Sequence, residues 1–546
     1  MMYTRNWPLA ALFGLLCCAY GAIVIHLYII QISHTHKYIQ LGQRQYHITV
    51  TKRPERAAIY DRHGVILAMN KNAVAAFVTP YKLHTPERTR LFIKSNFPEA
   101  YKRLEAQPNS SFLYIKRKLT EYELEMIAQE NLEDIKLLHE PSRFYPHPTV
   151  AQIIGFTDID NKGIAGIEQM YDMHLSGSPT TYQVERDARS GRYYFARQTT
   201  QQGVSSRPIN LTIDAHLQFL VTEHLYKTME RTQAKSAGAI IVDPATGNIL
   251  TLASVPNFDP ENISAQQTDY ISSPLLVHAY ELGSVIKPFC ALAALAENCV
   301  TMDELIDCKN VATTTIGGRK VNTTRSSVRG IVSFKEVISS SNNIGIAQVA
   351  TRLGSRLYDH YIKLGFGTRT NVGYPAEHAG KVNHPKNWSL QSLLSLSYGY
   401  EISATMTQLA RAFCIIARNG WDVQLNLVAS HQDNAPASTR IYPPEVIEQV
   451  QELLRLTAQK GTAQRTQLPG YDVLSKTGTA NLIEQGQYNP DKNLFTIGGI
   501  VQKGSYQRVI IVYVKETNQK NVYASTIAAP LFAAVARTMV IHEKAF

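Results

Sequence analysis

The apolar positions of the chain form one unbroken run near its start and many short periodic patterns after it. Residues 6 to 36 contain no Asp, Glu, Lys or Arg, and Trp7 to Ile30 is almost entirely apolar, long enough to cross a bilayer as one helix. Ala19-Tyr20-Gly21 would suit signal-peptide cleavage, but the apolar run continues past it from Ile23 to Ile30, which is the behaviour of an anchor. No second run of this length follows, so everything beyond about residue 36 is expected on one side of the membrane, outside the cytoplasm. "HTHKYIQLGQRQYH" then reads as a helical juxtamembrane stalk, with His34 and His36 interfacial rather than metal-ligating.

Beyond the stalk the period changes. "RPERAAIYDRHGVILAMN" alternates like a strand, turns at Asp61 to Gly64 and continues as a second strand. In "RPINLTIDAHLQFLVTEHLYKTME", Asp214 is placed to cap a helix whose Leu217, Leu220, Val221 and Leu225 share one face. "AGAIIVDPATGNILTLAS" predicts two strands around an Asp-Pro-Ala-Thr-Gly turn. A long helical stretch is expected from about 284 to 460, followed by strands at "VLSKTGTA", "LFTIGGIV" and "RVIIVYVKE" and a closing helix near "APLFAAVARTMV". Helix, two strands, helical insertion, three strands and helix predict an α+β domain, an antiparallel sheet with a helical half beside it and the chemistry in the groove between. The predicted division is a tail at 1–6, an anchor at 7–30, a stalk at 31–50, a folded pedestal at 51–205 and a catalytic domain at 206–546.

The length of 546 residues exceeds what one core holds, and 44% apolar with 18% charged residues is ordinary for folded protein. A net charge of +11 suggests an anionic partner. For a membrane-anchored extracytoplasmic chain, nucleic acid is not expected to be that partner. Six cysteines, two of them in the anchor, give no zinc spacing and no disulfide framework; Cys299 and Cys308 could pair, but isolated buried thiols are expected.

Three short motifs carry candidate chemistry. Ser284 precedes Lys287 by three positions in "YELGSVIKPF", the single Ser-x-x-Lys of the chain, so on a helix Ser284 Oγ and Lys287 Nζ can meet, with the positive helix end beside the serine. The competing reading is a capping serine and a solvated lysine. "VISSSNNIGIAQVA" offers Ser-x-Asn in two registers, Ser340 with Asn342 or Ser341 with Asn343, or simply a helix cap. "SKTGTA" sets Lys476, Thr477, Gly478 and Thr479 on a predicted strand, where the glycine lets a ligand backbone approach; alternatively the lysine only guards a sheet edge.

In this order the three motifs resemble those of penicillin-binding proteins and serine β-lactamases, and the chain resembles a class B penicillin-binding protein, a peptidoglycan D,D-transpeptidase, over nearly its whole length. Arg56 to Gly64 is similar to the family's opening motif, with Ala57 for its glycine; "GIAGIE" resembles its pedestal motif; "SYGYEISATMTQLARAF" resembles its conserved helix. Leu282, Glu401 and Met406 depart from the family's Pro, Gly and Pro. The resemblance selects Ser341 and Asn343. It implies Ser284 as acylated nucleophile, Lys287 as its base, Lys476 as the cation that keeps Lys287 neutral, Ser341 as proton relay and Asn343 as holder of the donor amide. It further implies that Lys476, Thr477 and Thr479 bind the donor carboxylate and that the N–H groups of Ser284 and Thr479 form an oxyanion hole. No metal or organic cofactor is expected. D-Ala-D-Ala stem peptides, β-lactams, the membrane, a membrane-embedded glycan polymerase and other division proteins are the expected partners. The inner membrane, with the catalytic domain in the periplasm, is the expected place.

Ser-x-Asn and the Tyr-Glu-x-Gly-Ser lead-in resemble division-type members. The alternatives are an elongation-type enzyme, a non-catalytic divisome scaffold, and a β-lactamase-like hydrolase, for which Glu377 in "GYPAEHAG" is the one downstream candidate for a water-activating base.

Overall fold

The computed structural model describes residues 7–186, 193–323, 327–389, 391–429 and 439–545; the predicted tail at 1–6 lies outside them. The chain forms two compact units, Met1–Glu55 with Ser176–Arg207, and Arg56–Leu175 with Pro208–Phe546. In the first, a helix over Trp7–Tyr28 runs through a π turn at Ile29–Ser33 into a second helix, Thr35–Tyr46. The apolar stretch Trp7–Ser33 is long enough to cross a membrane. Strands His47–Lys52, Thr180–Arg186 and Tyr193–Gln201 pair antiparallel in that order.

The second unit is built on a five-stranded antiparallel sheet. Its strands are β1 (Ser236–Asp243), β2 (Asn248–Val255), β3 (Asp472–Glu484), β4 (Gln487–Lys503) and β5 (Tyr506–Lys515), in the order β2-β1-β5-β4-β3. "RVIIVYVKE" shows why its centre reads as a continuous apolar run: Val509, Ile511 and Tyr513 enter one core while Ile510, Val512 and Val514 enter the other. On one face lie helix α1 (Ala215–Thr232) and the closing helix, with Leu217, Val221 and Leu225 buried against Phe532, Val535 and Met539. Asp214 caps α1 by accepting from Leu217 N at 2.9 Å, as its position predicted. On the other face sits the helical half, centred on α2 (Lys287–Ala296), which is buried from Lys287 to Leu295. Around it lie α3 (Asn343–Leu353), α4 (Met406–Ala417) and α5 (Pro444–Gln459).

The stretch 284–460 is not helical throughout. Small antiparallel pairs interrupt it, Leu305–Asp307 with Ile331–Ser333 and Thr313–Ile316 with Arg319–Asn322. A further strand, Ile402–Ala404, joins Tyr280–Glu281 to Lys381–Val382. Strands this short have no period long enough to register in the sequence.

Two separated motifs close on each other in the part before the sheet. Glu168 of "GIAGIE" is fully buried between Arg56 Nε and Arg143 Nε, each at 2.7 Å, while Arg56 also reaches Asp172 at 2.6 Å. Asp61 follows the same logic at the other end of its motif: it accepts from His63 N and Val65 N and ties the turn to Ala215 N at 3.1 Å. Replacing Glu168 by Ala would leave two buried guanidinium groups without their shared carboxylate and should cost about 3–5 kcal/mol of stability in chemical denaturation. A loss under about 1 kcal/mol, the range of exposed pairs, would show that the cluster does not hold the fold.

Candidate active site

The first site element is a 3₁₀ turn, Gly283–Ile286, that leads into α2 and carries Ser284. Gly283 has φ +56°, and a Cβ built on it would lie 2.6 Å from Thr479 O; a Cβ on Gly478 of β3 would lie 2.6 Å from Leu282 O. Only glycines permit backbones this close. Their approach brings the serine turn against the exposed edge of β3, with Ser284 and Thr479 lining the same cleft.

The second element is the break between two helices. Helix Phe334–Ser339 ends at Ser340, whose hydroxyl folds back on Glu336 O at 2.6 Å. Ser341 takes a left-handed φ of +61°, rare for a residue with a side chain. Asn342 then caps α3, accepting from Ile344 N and Gly345 N at 2.8 and 3.0 Å. Both readings of "SSSNN" are therefore realised on alternate residues: Ser340 and Asn342 finish and start helices, while Ser341 and Asn343 face the cleft. Asn343 donates its Nδ2 to Asn322 O at 2.7 Å, and its buried Oδ1 has no partner among the described residues.

The third element is β3. Its two-residue alternation places Thr477 and Thr479 on the cleft, where they bond Thr462 Oγ1 (2.8 Å) and Ala524 N (3.1 Å). Lys476, immediately before Thr477, reaches Ser341, its Nζ 3.0 Å from Ser341 Oγ and 2.9 Å from Thr477 O. Lys287 arrives from the other side, 3.1 Å from the same Oγ and 2.5 Å from Ser341 O. Neither lysine has any exposed surface. Burial, with Lys476 nearby, drives the Lys287 ammonium well below its ordinary value of 10.5. Burial brings Lys476 down to about 7. A solvated lysine and an edge-guarding lysine are both excluded by this placement. Among the described residues no hydrogen bond joins Ser284 Oγ to Lys287 Nζ; that amine turns to Ser341.

The cleft has a volume of about 230 Å³ and is completed by Tyr398, Tyr400, Thr462, Tyr523 and Ser525, none singled out from the sequence. No carboxylate is among its described lining residues. Glu377 is instead buried in its own loop, accepting from Thr370 N at 2.7 Å and Asn371 N at 2.8 Å. The unusual residues fit locally. Leu282 is buried, Met406 fills the first position of α4, and Glu401 adopts φ +60° where glycine would be at ease. Glu401 N donates to Glu281 Oε1 at 2.8 Å, and its carboxylate meets Arg319 at 3.4 Å.

Residues 237–537 match the penicillin-binding protein transpeptidase domain, and residues 51–211 match the penicillin-binding protein dimerisation domain. The chain belongs to the penicillin-binding protein transpeptidase family. Within it, the chain is 29% identical to the probable peptidoglycan D,D-transpeptidase PenA of Neisseria meningitidis, over 89% of this chain and 84% of that protein. It is 26% identical to the peptidoglycan D,D-transpeptidase FtsI of Escherichia coli, over 99% and 93%. Its fold is shared with penicillin-binding protein 3 of Mycobacterium tuberculosis, solved with aztreonam, at a TM-score of 0.70 and 23% identity over 91% of this chain and 97% of that one. The same holds for a peptidoglycan synthetase of Bifidobacterium adolescentis, at a TM-score of 0.72 and 19% identity over 91% and 97%.

The buried amines generate a prediction independent of activity. Because the folded value of Lys287 lies below its unfolded value, the unfolded chain binds more protons between the two. The cost of burying the lysine is full below the folded value and disappears as pH rises past about 10.4. Lys287→Met should therefore raise the melting temperature at pH 7, with a gain that shrinks toward pH 10. A gain that is absent, or that grows with pH, would contradict a depressed value.

Proposed function

We propose that the protein is a peptidoglycan D,D-transpeptidase that cross-links stem peptides at the division septum through an acyl-serine intermediate. One observation carries the reading: two fully buried lysines share the Ser341 hydroxyl beside Ser284, in a cleft whose described lining has no carboxylate. Lys287, whose ammonium is disfavoured by burial and by the neighbouring Lys476, acts as base, and Lys476 is the cation that favours this state.

Ser284 Oγ attacks the carbonyl of the penultimate D-alanine and its proton passes to Lys287. The oxyanion is held by the N–H groups of Ser284 and Thr479, each worth about 3 kcal/mol in such sites. When the C–N bond breaks, Ser341 relays the proton to the leaving amine. Lys476, Thr477 and Thr479 hold the departing carboxylate, which in turn strengthens the charge on Lys476. The Oδ1 of Asn343, without a partner among the described residues, accepts the donor's amide N–H. An amine of a neighbouring stem peptide then takes the acyl group.

A hydrolase would need a base for deacylating water, and Glu377 is occupied by its loop. Ser-x-Asn at 341–343 and the FtsI relatives support the division role over elongation. In this reading the apolar helix anchors the chain in the inner membrane with the catalytic unit in the periplasm. A membrane-embedded glycan polymerase supplies strands.

A labelled penicillin should acylate Ser284, located by mass spectrometry, and Ser284→Ala should remove the label without unfolding the chain. Labelling elsewhere in the unaltered protein would overturn the assignment. Depletion should give filamentous cells, whereas round cells would favour elongation.

A further inference from the structure

One wall of the catalytic cleft, Tyr398 with Tyr400, belongs to a loop rather than to a helix or a strand. The two rings meet edge to face at 6.0 Å, and Tyr400 meets Tyr488 of β4 in the same way at 5.2 Å. Between them Gly399, at φ +88°, accepts from Gly283 N at 3.1 Å, and a Cβ built on it would lie 2.1 Å from Gly283 O. The loop therefore rests directly on the turn that carries Ser284. Glu281, three residues before Ser284, joins this loop to the β3–β4 hairpin. It sits in a short strand paired with Ile402–Ala404, and its Oε1 accepts from Glu401 N at 2.8 Å and from Tyr488 Oη at 3.1 Å. Its Oε2 is buried and has no partner among the described residues. Glu401 holds φ +60°, a conformation that persists in a residue with a side chain only where its neighbours fix it. Arg319 supplies a second tie, bonding Ser395 Oγ and meeting the Glu401 carboxylate at 3.4 Å. Burial pushes the Glu281 carboxyl above its ordinary value of 4.5, against the pull of the Glu401 and Tyr488 hydrogen bonds. What joins the segments is thus one acceptor oxygen taking two neutral donors, not an ion pair.

The rest of the lining tells which part of a bound molecule this wall meets. Thr462 bonds Thr477 and Ala524 N bonds Thr479, so Thr462 and Tyr523–Ser525 stand with the β3 residues that take the carboxylate. The tyrosine pair stands instead with the Ser284 turn and faces the acyl side. We propose that Glu281 is a positioning residue that holds Tyr398 and Tyr400 against the acyl side chain of whatever acylates Ser284. This inference rests on the transpeptidase reading given above. Glu281 touches neither substrate nor reacting atoms, and no proton passes through it. It acts by fixing Glu401 N and Tyr488, which keep the loop and the Tyr400 ring in place.

The test uses the full chain and two penicillins with the same ring system, one carrying a phenylacetyl and the other a formyl side chain. Rapid-mixing kinetics of acylation separate the dissociation constant of the non-covalent complex from the limiting acylation rate. Glu281→Ala removes both hydrogen bonds and should weaken binding of the phenylacetyl compound about tenfold, while its limiting rate and both constants of the formyl compound change less than about twofold. Glu281→Gln keeps an acceptor oxygen and should restore binding. Tyr488→Phe should weaken binding of the phenylacetyl compound about threefold and add nothing to Glu281→Ala. Equal losses for both penicillins, a loss confined to the limiting rates, or a glutamine variant no better than alanine would overturn the positioning role while leaving the transpeptidase reading in place. Should the alanine variant fail to fold, unchanged binding in Tyr488→Phe would overturn it as well. Failure of the unaltered chain to be acylated would overturn the transpeptidase reading and the positioning role with it.

Discussion

Lys287 and Lys476 are withdrawn from water and converge on Ser341 Oγ, at 3.1 and 3.0 Å, with no carboxylate paired to either among the described residues. Two ammonium ions within about 6 Å of each other repel by roughly 3 kcal/mol at an effective dielectric of 20, before any desolvation is counted. The pair cannot hold two protons cheaply at neutral pH. One amine must become a base, and the other remains a cation within reach of any carboxylate that enters. The rest of the catalytic unit can be understood as what keeps this unfavourable arrangement in place.

The two lysines come from opposite layers, one from the first turn of the buried helix α2 and the other from the edge strand β3. Ser341, the hydroxyl they share, lies 135 residues before Lys476 in the chain. It is held in a left-handed conformation by a helix that ends immediately before it and a helix capped immediately after it. Such a conformation persists only where the surroundings fix it. The cores on both faces of the sheet supply that rigidity, and the glycine approach at 283 and 478 sets the distance between the layers. The two motifs before residue 175 join through Glu168 in the same spirit, one buried carboxylate organising several elements.

Much of this was legible from the residues. The sheet strands follow from their apolar runs, α1 from its cap and face, and the three motifs from their order. Other features were not. Small hairpins inside 284–460 are too short for periodicity to detect. The partnership of Lys287 with Ser341 rather than Ser284 is tertiary, since helical spacing shows which residues can meet and not which do. Thr462 looks like any residue after a helix end until β3 brings Thr477 against it.

The division of charge between the buried lysines is measured most directly by NMR titration of lysine Cε and Nζ signals, assigned with Lys287→Met and Lys476→Met variants. Lys287 should lose its proton at the lowest pH of any lysine in the protein, with Lys476 next, near 7. Titration of both close to 10.5 would contradict it, as would Lys476 losing its proton before Lys287.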